Sequence, residues 1–228
     1  MFIVSLTSIP PRFRYLGFIF TNLFNQKIKP DKVILNIPHE YKRFKNHDLK
    51  IIPKFLYSGA EKDFIIEVNK CSDFGPATKI IPTLDLVEDE DDILFIDDDR
   101  VLDREFTLRF LEAKKENKEK CIVGLKYKEP NYDGDLFFGC GGVLINKKMM
   151  YINDYKRLLD KCPHLFYVDD IGLSMILIKN KVGLFSLNHD PKRTMYETID
   201  DLYHISGNFE RLKSNKIALD FLRKEFYL

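Results

Sequence analysis

Ile93-Leu94-Phe95-Ile96-Asp97-Asp98-Asp99 decides how the rest of the chain is read. Four consecutive apolar residues with acids on both sides read as a strand buried on both faces, the mark of a parallel sheet. Three carboxylates at its carboxyl end repel one another, which raises their pKa values unless a cation compensates. If the chain stays extended there, alternate side chains face the same way, so Asp97 and Asp99 converge while Asp98 points aside. Carboxylate oxygens in such a pair suit hard divalent ions such as Mg²⁺ or Mn²⁺. The plainer alternative is a solvated acidic turn, or a helix cap with Arg100 as partner. Glu88 to Asp92 precede the strand and read as a solvated loop at the opposite end of the sheet.

Outward from this strand, apolar runs alternate with helical patterns. Phe2 to Leu6 reads as a strand ended by Pro10-Pro11, followed by an aromatic amphipathic helix from Tyr15 to Phe24. Val33 to Leu35 and Phe64 to Val68 read as strands, with a polar loop from His39 to Lys54 between them. Pro76 stands where a first helical turn tolerates it, so a helix is expected from Ala77 to Val87. Glu105 to Lys118, Met149 to Lys161, Ile171 to Lys179 and Phe209 to Phe226 read as helices. Cys121 to Leu125, Gly142 to Ile145 and Gly183 to Leu187 read as strands, and 188–207 as irregular. The alternation predicts an open α/β sheet with helices on both faces. Ligands of such sheets bind beyond the carboxyl ends of the strands, here after Leu6, Ile96, Leu125 and Leu187.

The chain has 228 residues, 45% hydrophobic and 31% charged, which supplies a sizeable core and argues against disorder. At roughly 150 residues per domain, one domain over 1–228 is expected, with 190–228 as a C-terminal loop and helix extension. Lys and Arg total 36 against 35 Asp and Glu, so a globally basic nucleic-acid binder is disfavoured. No apolar run approaches the ~20 residues needed to span a bilayer. The first residues lack the charged and long apolar regions of a signal peptide. Cys71, Cys121, Cys140 and Cys162 form no C-x-x-C pair, which disfavours a zinc site and predicts reduced thiols in a cytoplasmic setting.

Four ordered blocks carry a resemblance. They are Ser5-Leu6-Thr7-Ser8-Ile9-Pro10-Pro11-Arg12, Asp73-Phe74-Gly75-Pro76-Ala77-Thr78-Lys79, Phe95-Ile96-Asp97-Asp98-Asp99 and Val168-Asp169-Asp170. Together they resemble small viral and bacterial nucleotide-sugar-dependent glycosyltransferases of the GT-A fold, over residues 2 to 190. The resemblance implies a D-x-D that holds Mn²⁺ or Mg²⁺ against the donor diphosphate, with Asp97 and Asp99 as ligands and Asp98 beside the donor. It implies that Thr7, Ser8 and Ile9 meet the nucleoside, that Arg12 contacts base or phosphates, and that Lys79 meets the diphosphate or sugar. Asp73 would accept from a sugar hydroxyl or act as a cap.

Gly139-Cys140-Gly141-Gly142 lacks the dinucleotide spacing; the resemblance puts a glycine-rich turn with Gly141 and Gly142 beside the transferred sugar. Asp170 would be the general base of an inverting transfer, with Asp169 orienting it or contacting the acceptor; the plainer reading of either is a helix cap. His189 is the expected third metal ligand, with His204 as competitor. The implied partners are a nucleotide-sugar donor, UDP-linked by preference, and a hydroxyl-bearing glycan or other acceptor. A retaining transferase, a metal-dependent phosphodiesterase or phosphatase, and a non-catalytic carbohydrate-binding module are the alternatives. In the last, Tyr127, Tyr132, Phe137 and Phe138 would stack on sugars. The terminal helix, with Arg211, Lys213, Lys216, Arg223 and Lys224, is expected to cap the core, with peripheral membrane contact as the other possibility.

Overall fold

The structure is a computed structural model that describes residues 1–44, 65–129, 132, 134–194 and 207–226. Seven strands form one sheet in the order β3-β2-β1-β4-β7-β6-β8. They are β1 (Phe2–Thr7), β2 (Lys32–Pro38), β3 (Ile65–Cys71), β4 (Asp92–Phe95), β6 (Cys121–Tyr127), β7 (Leu136–Asn146) and β8 (Leu184–Ser186). β1 runs parallel to both β2 and β4, and β6 parallel to β8; β7 is antiparallel to β4 and β6. A separate two-stranded ribbon pairs β5 (Arg100–Val101) with β9 (Lys192–Arg193).

The central strands separate two apolar clusters. Ile93 and Phe95 face one side with α3 (Ile152–Lys161), α4 (Asp169–Lys179) and α5 (Gly207–Phe226). Leu94 and Ile96 face the other, with α1 (Leu16–Phe24) and α2 (Phe106–Glu116). This two-sided burial is why the strand carries no polar residue between Asp92 and Asp97. Ala218, Leu219 and Leu222 of α5 are buried in the first cluster, so the terminal helix caps the core as expected. Among the described residues no helix is long and apolar enough to cross a membrane.

Chain order reverses between β1 and β4, which lie side by side; the N–H of Ile96 donates to the Ser5 carbonyl at 3.0 Å. Such a reversal opens a crevice at the strands' carboxyl ends, and it sets the Thr7–Arg12 loop beside Asp97–Asp99.

Three expectations change. The helix expected over Ala77–Val87 is instead two short 3₁₀ turns, Gly75–Lys79 and Thr83–Asp85. Pro82 removes a backbone donor, and Thr78, Ile80, Ile81 and Thr83 are β-branched, so the segment tightens rather than propagates. Lys79 therefore ends a turn and does not sit near a helix N-terminus. The glycine-rich segment is no turn before a strand: it lies inside the eleven-residue β7. The segment read as irregular supplies β9, a pairing decided by a partner about ninety residues away in sequence that local pattern does not register. Phe64, the first residue of the third expected strand, most of the 39–54 loop, and His204 lie outside the described residues.

Candidate active site

A cavity of about 590 Å³ opens at the carboxyl ends of β1 and β4. Thr7, Ser8, Ile9, Arg12, Asp73, Lys79, Asp97, Asp98, Asp99, Asp169 and Asp170 all line it, from four separate stretches of sequence. Gly141, Gly142 and His189 are not among its lining residues.

The aspartate triplet does not alternate. β4 ends at Phe95 and the chain turns at Asp98–Asp99 into β5. The turn brings Asp98 and Asp99 onto one guanidinium: Arg12 Nη1 donates to Asp98 Oδ1 at 3.0 Å and to Asp99 Oδ2 at 2.8 Å. The Ser8 hydroxyl completes the cage, donating to Asp98 Oδ2 at 2.5 Å. Ser8 and Arg12, expected to point at the donor, thus also hold the acidic turn, and the Thr7 hydroxyl donates to the Asn36 carbonyl at 2.8 Å.

Asp97 takes the other direction. Lys79 Nζ lies 2.8 Å from Asp97 Oδ1 and 3.1 Å from Asp169 Oδ2. Its side chain is 3% exposed, against 30% for Asp97 and 6% for Asp169. Burial disfavours the ammonium, but Asp169, Asp97 and Asp170 outweigh it and hold its pKa well above the usual lysine value. Burial likewise opposes ionisation of Asp97, yet Lys79 keeps its carboxyl below the ordinary range.

A polar network pins Lys79 from beneath. Ser5 Oγ donates to the Lys79 carbonyl at 2.5 Å and shares a 2.6 Å bond with Thr83 Oγ1. The Asn36 amide donates to Ser5 Oγ and to Thr83 Oγ1, and its carbonyl accepts from Asn69. These hydroxyls have consistent donors and acceptors, so the buried network is satisfied and rigid.

Asp99 is pushed up to about 7, first by burial and then by the charges of Asp97 and Asp98, against the pull of Arg12 and Arg100. Burial also raises Asp98, although Arg12 opposes it. Buried Asp99 Oδ1 accepts no hydrogen bond, and Arg100 Nε stands 3.5 Å from it. Among the described residues no three His, Cys, Asp or Glu side chains gather as a metal cluster. A hard divalent ion bound with substrate phosphates needs only one or two protein carboxylates. Asp99 has an unsatisfied oxygen and Asp97 is partly open to the cavity, so each could supply one oxygen to such an ion, although they turn toward different cations. His189 does not join them. Its Nε2 lies 3.2 Å from Arg109 and 3.4 Å from Asp103, with the ring against Phe106. Burial and Arg109 lower its pKa.

At the other wall, α4 begins at Asp169. Asp170 Oδ1 accepts the Gly139 N–H at 3.0 Å. That close approach explains a glycine: a Cβ on Gly139 would lie 2.6 Å from Asp170 Oδ1 and 2.8 Å from Lys79 Nζ. Gly141 and Gly142 have other duties. A Cβ on Gly141 would press on the β6 backbone at Leu125, and one on Gly142, at φ +86°, would meet Phe106 and Phe110 in the core. Asp73 behaves as a cap, its carboxylate accepting the Gly75 and Lys42 N–H groups at 2.8 Å each. Gly75 sits at φ +63° with no room for a Cβ against the Phe166 carbonyl.

Sequence reasoning missed several wall residues. Tyr41 lines the cavity beside the Thr7–Ile9 loop and donates to the Ser8 carbonyl at 2.6 Å. Arg100 and Arg193 arrive on the ribbon, and Cys140 on β7. Tyr127 and Phe138, already considered for sugar stacking, lie with their rings stacked 4.1 Å apart between centroids, and the missed Leu212 and Asn215 of α5 close the rim. Of the aromatics considered for sugar stacking, Phe137 is fully buried against Phe95 instead.

No protein-family profile and no curated protein matches the sequence. Solved structures do match. S. aureus TarS aligns with TM-score 0.53 and 15% identity, over 99% of this chain and 43% of that one, so this chain spans less than half of that protein's length. TarS 1–349 in complex with UDP-GlcNAc aligns with TM-score 0.51 and 14% identity, over 100% and 73%. A putative glucose-1-phosphate thymidylyltransferase from Bacillus anthracis, in complex with a sucrose, aligns with TM-score 0.53 and 14% identity, over 96% and 95%. At these identities the likeness carries the fold: this chain has the GT-A architecture of nucleotide-diphospho-sugar transferases.

Proposed function

We propose that the protein is a glycosyltransferase that moves a sugar from a nucleotide-diphosphate donor, UDP-linked by preference, to a hydroxyl of a glycan or similar acceptor, with inversion. The observation that carries the reading is one cavity in which the acidic turn after β4 faces the acidic start of α4 across Lys79. The solved complex of TarS 1–349 with UDP-GlcNAc supports the donor class. Free thiols at all four cysteines support a reducing, cytoplasmic setting.

Asp97 and Asp99 would hold Mn²⁺ or Mg²⁺, which supplies positive charge for the donor's phosphates. The chain's own residues do the rest. The Thr7–Ile9 loop and Tyr41 shape the nucleoside end. Lys79 stands between Asp97 and Asp169 and favours the charged form of Asp97. Asp170, oriented by the Gly139 N–H, takes the proton of the attacking hydroxyl as its oxygen bonds to the anomeric carbon. The bond from that carbon to the phosphate oxygen breaks, and its electron pair leaves with the nucleoside diphosphate.

The test is turnover of a nucleotide-sugar panel with Mn²⁺, with nucleoside diphosphate release as readout and the product's anomeric configuration read by proton NMR. Asp99→Asn should abolish metal-dependent donor binding. A product of unchanged configuration would make the enzyme retaining. Pyrophosphate release from a nucleoside triphosphate and a sugar phosphate would replace the reading with nucleotidyl transfer. Phosphate-ester cleavage without a sugar acceptor would point to a phosphodiesterase or phosphatase. Sugar binding without turnover would leave a binding module.

A further inference from the structure

Six aromatic side chains line the cavity. Tyr41, Phe44 and Phe166 are buried in its wall and Tyr127 is half-buried, whereas Phe138 and Tyr167 are open, at 38% and 43% exposure. Leu212 of α5, also exposed, lines the same cavity. A single exposed apolar side chain needs no explanation, but several within one concave site mark a surface for a ligand.

Both open rings are tied to Asp170. Phe138 precedes Gly139, whose N–H donates to Asp170 Oδ1 at 3.0 Å, and Tyr167 lies three residues before Asp170 in the chain. Phe138 is the better braced of the two. It is in register with Leu125 of β6, which makes Tyr127 its diagonal neighbour on the same face of the sheet. The Tyr127 and Phe138 rings stack 4.1 Å apart between centroids and 21° from parallel. The stack covers one face of the Phe138 ring and fixes its plane, and the residue still opens to the cavity. Tyr167 instead meets Phe166 edge to face, at 5.2 Å and 78°. Polar groups stand around these rings. Asp170 is one, and Asn215 and Glu129 are joined across the rim by a 3.4 Å hydrogen bond. A pyranose has the matching make-up, an apolar C–H face and an edge of hydroxyls, whereas an acyl chain would leave the polar groups unused.

We propose that Phe138 is the platform on which a sugar ring of the acceptor lies, with its C–H face on the aromatic ring and its hydroxyl edge turned to Asp170. The proposal rests on the transfer reading above and deepens it by naming the acceptor class, a glycoside whose pyranose ring enters the cavity. Apolar contact with a braced ring sets the tilt of the sugar, and hydrogen bonds at the rim set its register.

The experiment is saturation-transfer NMR on the 228-residue chain with methyl glycosides of glucose, galactose, mannose and N-acetylglucosamine, and with lactose, maltose and chitobiose. UDP affinity is measured beside it by calorimetry. The native protein should saturate the C–H protons of one ring face more strongly than the methyl aglycone. Phe138→Leu keeps an apolar side chain but removes the ring, and should weaken the tightest sugar by about 10-fold while UDP affinity holds. Phe138→Tyr keeps the ring and should bind as the native protein does. So should Tyr151→Ala, which removes an exposed aromatic outside the cavity lining. Native-like sugar binding by Phe138→Leu, a larger loss in Tyr167→Leu, or no binding of any of these sugars by the native protein would overturn the platform. Loss of UDP affinity in Phe138→Leu would put the nucleoside on the ring and overturn it too. Each of these results leaves the transfer reading to its own turnover test. If sugars bind through Phe138 but no sugar nucleotide is turned over, the sugar platform stands as that of a binding module and the transfer reading falls.

Discussion

Replacing Lys79 by Met tests the electrostatic arrangement on which the site depends. The two side chains are similar in length, so packing changes little and charge changes most. Lys79 is 3% exposed and lies 3.1 Å from Asp169 Oδ2, an oxygen that accepts no hydrogen bond and is itself in a side chain 6% exposed. Removing one member of a buried pair leaves an uncompensated charge and costs about 3–5 kcal/mol. The cost falls mainly on Asp169, because Asp97 is 30% exposed and can be hydrated from the cavity. At about 2–4 °C per kcal/mol for a chain of this size, Tm should fall by roughly 6–20 °C. Adding Asp169→Asn to Lys79→Met removes the stranded charge, so the double variant should regain about 1–3 kcal/mol.

The pH dependence follows from the signs of the shifts. Lys79 is held above the ordinary lysine value, so its contribution is complete below that value and is lost as pH rises through the folded one. Asp97 is held below the ordinary carboxylate value, so its contribution is present above that value and lost as pH falls through the folded one. The penalty in Lys79→Met should therefore hold up to the ordinary lysine value and shrink as pH falls below the ordinary carboxylate range, where Asp97 loses its charge. Urea unfolding of the native, single and double variants, followed by circular dichroism, measures all of this. A penalty below about 1 kcal/mol at pH 7, the range of an ordinary substitution, would refute the reasoning. So would a double variant no more stable than Lys79→Met.

Two more outcomes are expected. Asp170→Asn should lower turnover by about 10²–10⁴-fold while nucleotide binding persists, since it removes the proposed general base and leaves the proposed donor end intact; equal turnover would remove Asp170 from the reaction. Gly139→Ala should cut turnover and lower Tm, because the new methyl meets Asp170 Oδ1 at 2.6 Å and the buried, paired Lys79 Nζ at 2.8 Å; a full-activity variant would show that the Gly139–Asp170 contact has no part in orienting the carboxylate.

Elements whose cause is local were legible before the structure. Phe2 to Leu6, apart from the hydrogen-bonded Ser5, and Ile93 to Ile96 are runs of apolar residues buried on both faces, and such a run reads the same in any context. Of the four blocks that line the cavity, those after Leu6 and Ile96 were legible from strand ends, whereas Asp73–Lys79 and Val168–Asp170 were reached through the family resemblance. Misreadings occurred where a distant partner outvoted local pattern. The alternation of Asp97 and Asp99 fails because Arg12 draws Asp98 and Asp99 together over a turn. Gly141 and Gly142 suggested approach to a ligand, but the bodies that approach are β6 and the Phe106–Phe110 pair. His189 has the right residue type, yet it lies against Arg109, Asp103 and Phe106.

The amino-acid sequence alone determined the class of fold and the inventory of charges at its carboxyl edge, because strand burial and helix periodicity are properties of neighbours within one turn or pleat. Only tertiary structure decided which acid meets which cation. Lys79 could have faced a phosphate and Arg12 a base. Sheet order and the β5–β9 ribbon place them within reach of particular carboxylates, and ion pairing falls off over a few ångströms, so the allocation of charge exists only once the chain has folded.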